Sequence, residues 1–252
     1  ADAEVVPHPV DEEGIVLNER PCDYYYVTPG HQVPTGVAMS SARRRQLLEH
    51  AARHDAVIIE DDYDSESNFT LNPLPALKAS DRSGRVVYVS SLSKALSPGL
   101  RLGFMVADPD LIDEARALRR LVYRHPPTNI QYQMAHFLAQ GHYETHLRRY
   151  HYDSAQRWER LHAALQRYLP SCRALAGSEH ANAFWLQTPA QINTQQLTWR
   201  AAHAGVLIEP GARHFLSAAP PDNYFRMGFH AINPDAIAQG VEVLRGQLEQ
   251  MG

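Results

Sequence analysis

The residues with most capacity for chemistry lie in Arg85-Val-Val-Tyr-Val-Ser-Ser-Leu-Ser-Lys-Ala-Leu-Ser-Pro-Gly-Leu-Arg-Leu-Gly-Phe-Met-Val106. An apolar run, Val86–Val89, gives way to Ser90, Ser91 and Ser93 and then to Lys94. The chain turns at Pro98-Gly99 into a second apolar run. A lysine between two strands predicted to be buried is costly unless its ammonium is paired or neutralised. The chain has only two lysines, Lys78 and Lys94, and otherwise carries positive charge on arginine. Solubility is a poor explanation for Lys94. In Ser-x-x-Lys spacing a lysine can activate a serine nucleophile. Alternatively, its amine forms a Schiff base with a carbonyl cofactor whose phosphate the serines bind. A third reading is structural: a lysine at a strand end paired with a carboxylate.

The nucleophile chemistry requires Ser-Asp-Asn and Lys-Thr-Gly companions, and the chain contains neither. The Schiff-base chemistry requires an attainable neutral amine, which desolvation and a neighbouring cation provide. Arg101, seven residues on, suits that role and could also bind phosphate bidentately. If the cofactor is pyridoxal phosphate, a carboxylate must keep the pyridine nitrogen protonated. Asp61, after the apolar run Ala56–Ile59, fits that demand, and Tyr63 could donate to the ring hydroxyl. Glu60–Glu66 can also be read as a divalent-cation site or a solvated acidic loop. It lacks the glycine of a calcium loop and contains no His or Cys. Elsewhere metal chemistry finds no motif. Glu144 is at the wrong offset between His142 and His146 for a zinc-protease helix, and His50/His54 lack an acidic third ligand. Both pairs read as exposed helical histidines. Asp153 and Ser154 have no Gly-x-Ser-x-Gly elbow to go with them.

Elements that could position these groups follow from periodicity. Val5–Val10 and Tyr24–Val27 read as short strands around the turn-like Asp11–Gly14, and Thr28–Gly36 as a Pro/Gly loop. A helix capped by Ser40 or Ser41 extends to about Asp55 on Leu47, Leu48, Ala51 and Ala52. A buried-type strand, Ala56–Ile59, follows. This strand, helix, strand order predicts an α/β fold with a mainly parallel sheet covered on both faces. Ligands bind such sheets beyond the carboxyl ends of the strands, where Glu60–Tyr63 and Ser90–Lys94 lie. Helices are predicted at Leu111–Tyr123 and Ile130–Ala139, then a long Arg/Tyr-rich helix from Gly141 to near Pro170. Short strands return at Ala183–Gln187, Val206–Glu209 and Tyr224–Phe229, with helices at about Thr194–Ala204 and Pro234–Glu249. The expected division is 1–140, part of a large domain, and 141–252, a connecting helix with a smaller α+β domain.

Bulk properties exclude several classes. Hydrophobic content of 44%, charged content of 21% and a net charge of −4 over 252 residues are ordinary globular values. They give no electrostatic case for nucleic acid or membrane as a partner of this chain. Arg43-Arg44-Arg45 and the arginines at 116, 119, 120 and 124 read as solvated helix faces. Two cysteines, Cys22 and Cys172, make no framework, so a reducing cytoplasm is expected. No run has transmembrane length. Asn68-Phe69-Thr70 is a chance sequon.

Ile58-Ile-Glu-Asp-Asp-Tyr-Asp-Ser-Glu66, Pro73-Leu-Pro-Ala-Leu-Lys78 and Ser91-Leu-Ser-Lys-Ala-Leu-Ser-Pro-Gly-Leu-Arg-Leu-Gly103 closely resemble fold-type I pyridoxal-phosphate aminotransferases. More narrowly, with Thr28–Gly36 and His146–Arg149, they resemble the aminotransferase-like domain of MocR/GabR-type bacterial regulators. The resemblance implies pyridoxal 5'-phosphate carried by Lys94 as an internal aldimine, Asp61 at the pyridine nitrogen and Tyr63 at the ring hydroxyl. It implies Ser91, Ser93 and Arg101 at the phosphate. Arg226, in Tyr-Phe-Arg-Met-Gly-Phe229, matches the arginine that grips a substrate carboxylate, with Arg213 close by in sequence. It also implies a homodimer responding to a small amine or amino acid, with DNA contacted only through a separate N-terminal domain. A stand-alone aminotransferase is the alternative, and a scaffold that has lost its cofactor would have no use for Lys94, Asp61, Tyr63 and Arg101 together. One departure favours the regulators: Val33 stands where the enzymes usually carry an asparagine before Pro-Thr-Gly. The family's Gly/Ser phosphate loop and ring-stacking aromatic lie upstream of the matching region, so the chain is expected to be the C-terminal part of that domain.

Overall fold

The computed structural model describes residues 2–18, 20–67, 74–175 and 182–251. The Asn68–Thr70 sequon and Pro73 lie outside these residues. The chain divides into two units, Ala1–Gly30 with Ala38–His151, and His31–Val37 with Tyr152–Gly252.

The first unit opens with a two-residue hairpin, β1 (Val10–Asp11) and β2 (Gly14–Ile15). The longer strand expected from Val5 is absent. Pro7 and Pro9 have no N–H for a ladder, and only the Pro9 carbonyl joins in, accepting from Val16 N at 2.8 Å. In β3 (Tyr24–Val27), Tyr25 and Val27 point into the core, while Tyr24 and Tyr26 are about two-thirds exposed. This strand is therefore covered on one face only.

Helix α1 (Ser41–Arg53) starts where Ser40 Oγ accepts from Arg43 N at 3.1 Å, and it buries Leu47 and Ala51. It also corrects a reading of the arginine triplet as solvated. Arg44 is buried, its guanidinium donating to the carbonyls of Met39, Pro29 and Pro75 at 2.9, 2.9 and 2.7 Å. Three loop carbonyls in need of donors outweigh the charge's preference for water. His50, expected to be exposed, is buried against the Tyr25 hydroxyl at 2.8 Å.

Strand β4 (Val57–Asp62) runs parallel to β3, and β5 (Val86–Ser91) runs parallel to β4. Pairing with β5 carries β4 past its apolar residues: Glu60, Asp61 and Asp62 sit opposite Tyr88, Val89 and Ser90. The first acidic residues are therefore strand rather than loop. Glu60 shares the inward face with Ile58 and is buried. Its two carboxylate oxygens accept from Leu77 N and Lys78 N at 2.7 and 2.9 Å, at the start of the short helix α2 (Leu77–Ser80). Lys78 Nζ donates to Val86 O at 2.7 Å and pairs with Asp81 at 3.4 Å.

β6 (Gly103–Val106) closes the order β3-β4-β5-β6 as an antiparallel strand. It is not the buried strand its composition suggests: Phe104 and Val106 are nearly half exposed. Gly103 is required where it pairs with Ser91, because a Cβ there would lie 2.7 Å from the Ser90 carbonyl oxygen. Helices α3 (Pro109–Tyr123), α4 (Thr128–Ala139) and α5 (His142–Tyr168) follow, α5 crossing the boundary between the units.

The second unit is built on a sheet of β7 (Arg173–Ala174), β8 (Ala183–Gln187), β9 (Glu209–Pro210) and β10 (Tyr224–Gly228) in the order β7-β8-β10-β9. Its pairings are antiparallel. Helices α6 (Thr194–His203) and α7 (Ile237–Glu249) accompany it, burying Leu197 and Ala201, and Val241 and Leu244. The strand expected at 206–209 shrinks to Glu209–Pro210. Val206 N instead closes the end of α6 by bonding to Ala201 O at 2.8 Å, after Gly205 takes a left-handed φ of 86°.

Candidate functional site

Because β3, β4 and β5 are parallel, their carboxyl ends share one edge of the sheet. The sequence continues from β5 into a turn carrying Lys94 and from β4 into Tyr63 and Asp64. Lys94 Nζ lies 4.3 Å from the centroid of the Tyr63 ring and 3.6 Å from Asp64 Oδ2. The lysine side chain is about a third exposed and that of Asp64 is buried, with relative areas of 31% and 2%. A cation over an aromatic face beside a carboxylate is held in place by both. Tyr63 and Lys94 thus come together as expected. Asp64, which sequence reasoning passed over inside its acidic run, is the carboxylate that meets the lysine. Only the excess of carboxylates between Glu60 and Glu66 hinted at it.

Asp61 is turned toward β3, where the Tyr26 hydroxyl donates to its Oδ2. Although the Tyr26 ring is largely exposed, partial desolvation and then the bond to Asp61 push its phenol up to about 12. Asp62 accepts from the Tyr88 hydroxyl at 2.8 Å, and its carbonyl accepts from Ser90 Oγ at 2.9 Å. Burial and Asp62 together push the Tyr88 phenol up to about 12. Ser91 Oγ accepts from Ser93 N at 3.2 Å, which folds the Ser-x-Ser segment into a tight turn just before the lysine. Ser93 is buried. Arg101 follows a 3-10 turn, Pro98–Leu100, with a left-handed φ of 48° and an exposed side chain.

The long helix braces this edge at two points. His146 Nε2 bonds to Ala95 O at 2.7 Å, next to the lysine, and His151 Nε2 bonds to Glu66 O at 2.7 Å. His146 is thus a structural partner of the lysine turn rather than an exposed helical histidine. Tyr143 donates to Glu66 Oε1, and burial raises the Glu66 carboxyl.

Arg226 belongs to the second unit. It faces Glu209 across the β9–β10 pair, its Nη1 3.3 Å from Glu209 Oε2. Glu209 Oε1 in turn meets Arg213 Nη1 at 3.1 Å and His214 Nε2 at 3.4 Å. Burial pulls the Glu209 carboxyl up, but Arg213, Arg226 and His214 outweigh it and hold the group below its ordinary range. Among the described residues, no group of three or more His, Cys, Asp or Glu is placed to hold a metal. No helix of the described residues is long and apolar enough to cross a membrane.

The donor set fits pyridoxal 5'-phosphate in kind. It offers an amine for the carbonyl, a strand-borne carboxylate for the ring nitrogen and a phenol for the ring hydroxyl. Two hydroxyls and a guanidinium remain for phosphate. The fold is the type I pyridoxal-phosphate-dependent transferase fold, as seen in α-aminoadipate aminotransferase LysN from Thermus thermophilus, solved with N-(5'-phosphopyridoxyl)-L-leucine. That structure matches 97% of this chain and 65% of its own at TM-score 0.88 and 27% identity. Kynurenine aminotransferase from Pyrococcus horikoshii gives TM-score 0.87 at 26% identity, with 97% and 63% covered.

The chain belongs to the aminotransferase class I and II family, whose model matches residues 27–244. The cofactor indicated by that family and fold is pyridoxal 5'-phosphate. Its similarity to curated proteins runs chiefly to regulators. It is 38% identical over 243 residues to the HTH-type transcriptional regulator TauR of Rhodobacter capsulatus, covering 95% of this chain and 50% of that protein. It is 34% identical to the probable rhizopine catabolism regulatory protein MocR of Rhizobium meliloti, covering 97% and 50%. The chain thus spans about half the length of these relatives.

Proposed function

We propose that this chain is the ligand-sensing and dimerisation domain of a MocR/GabR-type transcriptional regulator, which holds pyridoxal phosphate on Lys94 and responds to a small amine or amino acid. The observation that best supports this reading is the meeting of Lys94 and Tyr63 at the carboxyl edge of a parallel sheet, the Nζ 4.3 Å from the ring centroid, in a chain of the aminotransferase class I and II family. In this reading Asp61 holds the ring nitrogen and Tyr63 the ring hydroxyl. Ser91, Ser93 and Arg101 hold the phosphate, and Arg226 takes the acid group of an amino acid.

When bound, pyridoxal phosphate supplies an electrophilic carbonyl and an electron sink. The chain's own residues do the rest. Tyr63 and Asp64 fix the position of Lys94 Nζ, so the amine is presented in one direction. Asp61, held by Tyr26, would supply the carboxylate that keeps a ring nitrogen protonated. Ligand capture in such a domain shifts the population of arrangements of the intact regulator. In this reading DNA contact belongs to a separate N-terminal domain, in keeping with the likeness to the HTH-type regulator TauR.

The second reading, a stand-alone aminotransferase, is supported by the fold's likeness to the kynurenine and α-aminoadipate enzymes. There Lys94 would also move a proton at Nζ. The test is borohydride reduction of the cofactor-loaded protein followed by peptide mapping. Label on Lys94 is expected, and label on Lys78 or on neither lysine overturns the assignment. Sustained turnover of an amino acid with a 2-oxo acid would favour the enzyme over the regulator.

A further inference from the structure

The second unit concentrates charge around Arg226 in a way that carboxylate capture alone does not require. Glu209 sits opposite Arg226 in the register of β9 and β10, so their contact is built into the sheet. One Glu209 oxygen faces Arg226 at 3.3 Å, and the other is shared by Arg213 at 3.1 Å and His214 at 3.4 Å. The surroundings are closely packed. Trp185 stacks on Tyr224 with centroids 5.5 Å apart and meets the His214 ring edge-on at 5.7 Å. Gly211 passes so close that a Cβ would lie 2.6 Å from both Trp185 and Tyr224. His214 Nε2 is buried, and its contact with Glu209 lacks hydrogen-bond geometry, leaving a polar atom unsatisfied. Arg213, Arg226 and Glu209 together leave positive charge in excess, so the cluster can accept an anion.

We propose that Glu209 is a positioning residue that occupies Arg226 in the ligand-free state and competes with the ligand's carboxylate for its guanidinium. This deepens the proposed function and rests on Arg226 being the acid-binding arginine. Arg226 is only 23% exposed, so an incoming carboxylate cannot approach freely from all sides. It meets a guanidinium already oriented by Glu209, and binding weakens that contact. Arg213 opposes the competition, because it draws the same Glu209 carboxylate away. The site thereby retains only acids that hold Arg226 better than its built-in counter-ion does.

The test uses protein labelled with 13C-arginine and titrated with acetate at fixed ionic strength, following the Arg226 guanidinium resonance assigned with Arg226→Lys. Far-UV circular dichroism checks that each variant is folded. Glu209→Gln should bind acetate roughly three- to fivefold more tightly, the range a partly exposed ion pair supports. Glu209→Asp keeps the charge but withdraws the carboxylate, and should also tighten binding. Arg213→Ala should weaken it. Unchanged affinity in Glu209→Gln overturns the proposal. So does a Glu209→Asp variant that behaves as wild type, since the effect would then be that of a nearby charge alone. Acetate binding needs neither Lys94 nor cofactor, so failed labelling of Lys94 leaves a positive result standing. An Arg226 resonance silent to acetate in every variant overturns the acid-binding reading of Arg226 and this proposal with it.

Discussion

Lys94 and Asp64 face each other across 3.6 Å, although they come from the ends of different strands. The carboxylate holds the amine in an ion pair and so competes with an electrophile for it. Asp64→Asn should therefore make Lys94 more reactive toward trinitrobenzenesulfonate near pH 8. With only two lysines in the chain, mass mapping can score Lys94 against Lys78. A ratio equal to wild type would show that Asp64 does not control the amine.

Tyr26 steadies Asp61 from the neighbouring strand. Tyr26→Phe removes one hydrogen bond to a charged group at an exposed site, worth about 1 kcal/mol. Pyridoxal phosphate affinity, followed by absorbance, should fall by up to roughly fivefold. Because the Tyr26 side chain is largely exposed, the unfolding midpoint should move little.

Arg44 ties three loop carbonyls together from a buried position. Arg44→Ala leaves them without their donor and should cost about 3 kcal/mol or more in urea unfolding. Arg45→Ala, one position on, should change stability by less than about 0.5 kcal/mol.

Gly103→Ala would force a Cβ to 2.7 Å from the Ser90 carbonyl oxygen, a backbone atom in the middle of the sheet. Strand β6 must then move away from β5, at a cost of about 1–3 kcal/mol in thermal unfolding. Gly99→Ala, where the nearest atom is the Ser97 hydroxyl at 3.8 Å, meets no such clash.

Burial first, and then the bond to Asp62, push the Tyr88 phenol up from its ordinary 10.0 to about 12. A raised folded value means its contribution to stability is complete below pH 10 and is lost as pH rises toward 12. Tyr88→Phe should flatten that part of the stability profile, and one late-ionising phenol should disappear from the absorbance titration at 295 nm.

What the sequence revealed and what it hid divide along physical lines. Periodicity located α1 and α3–α7 to within a few residues, because each carries apolar residues at helical spacing, including α3, whose Leu118, Leu121 and Val122 stay exposed. The apolar runs of β4 and β5 were equally plain, and Lys94, Asp61 and Tyr63 stood out where such runs turned polar. Partnerships across strands were not legible. That Asp61 meets Tyr26, Asp64 meets Lys94 and Glu209 meets Arg226 depends on register, which spacing along one segment does not encode. Composition misled at Arg44 and His50, since an exposed charged residue and one recruited by loop carbonyls or a buried phenol look alike in a helical pattern. It misled again at β6, where apolar residues lie at a partly open sheet edge.

Lys78 is held by the Val86 carbonyl and Asp81, and the rest of the chain's basic residues are arginines and histidines. A reactive aldehyde can condense with any accessible primary amine, and most proteins present many. Here a single side-chain amine, Lys94, lies at the sheet edge proposed to take the ligand, itself in contact with Asp64 and Tyr63. Chemoselectivity toward carbonyl compounds would then follow from the scarcity of competing amines as much as from the tuning of one lysine.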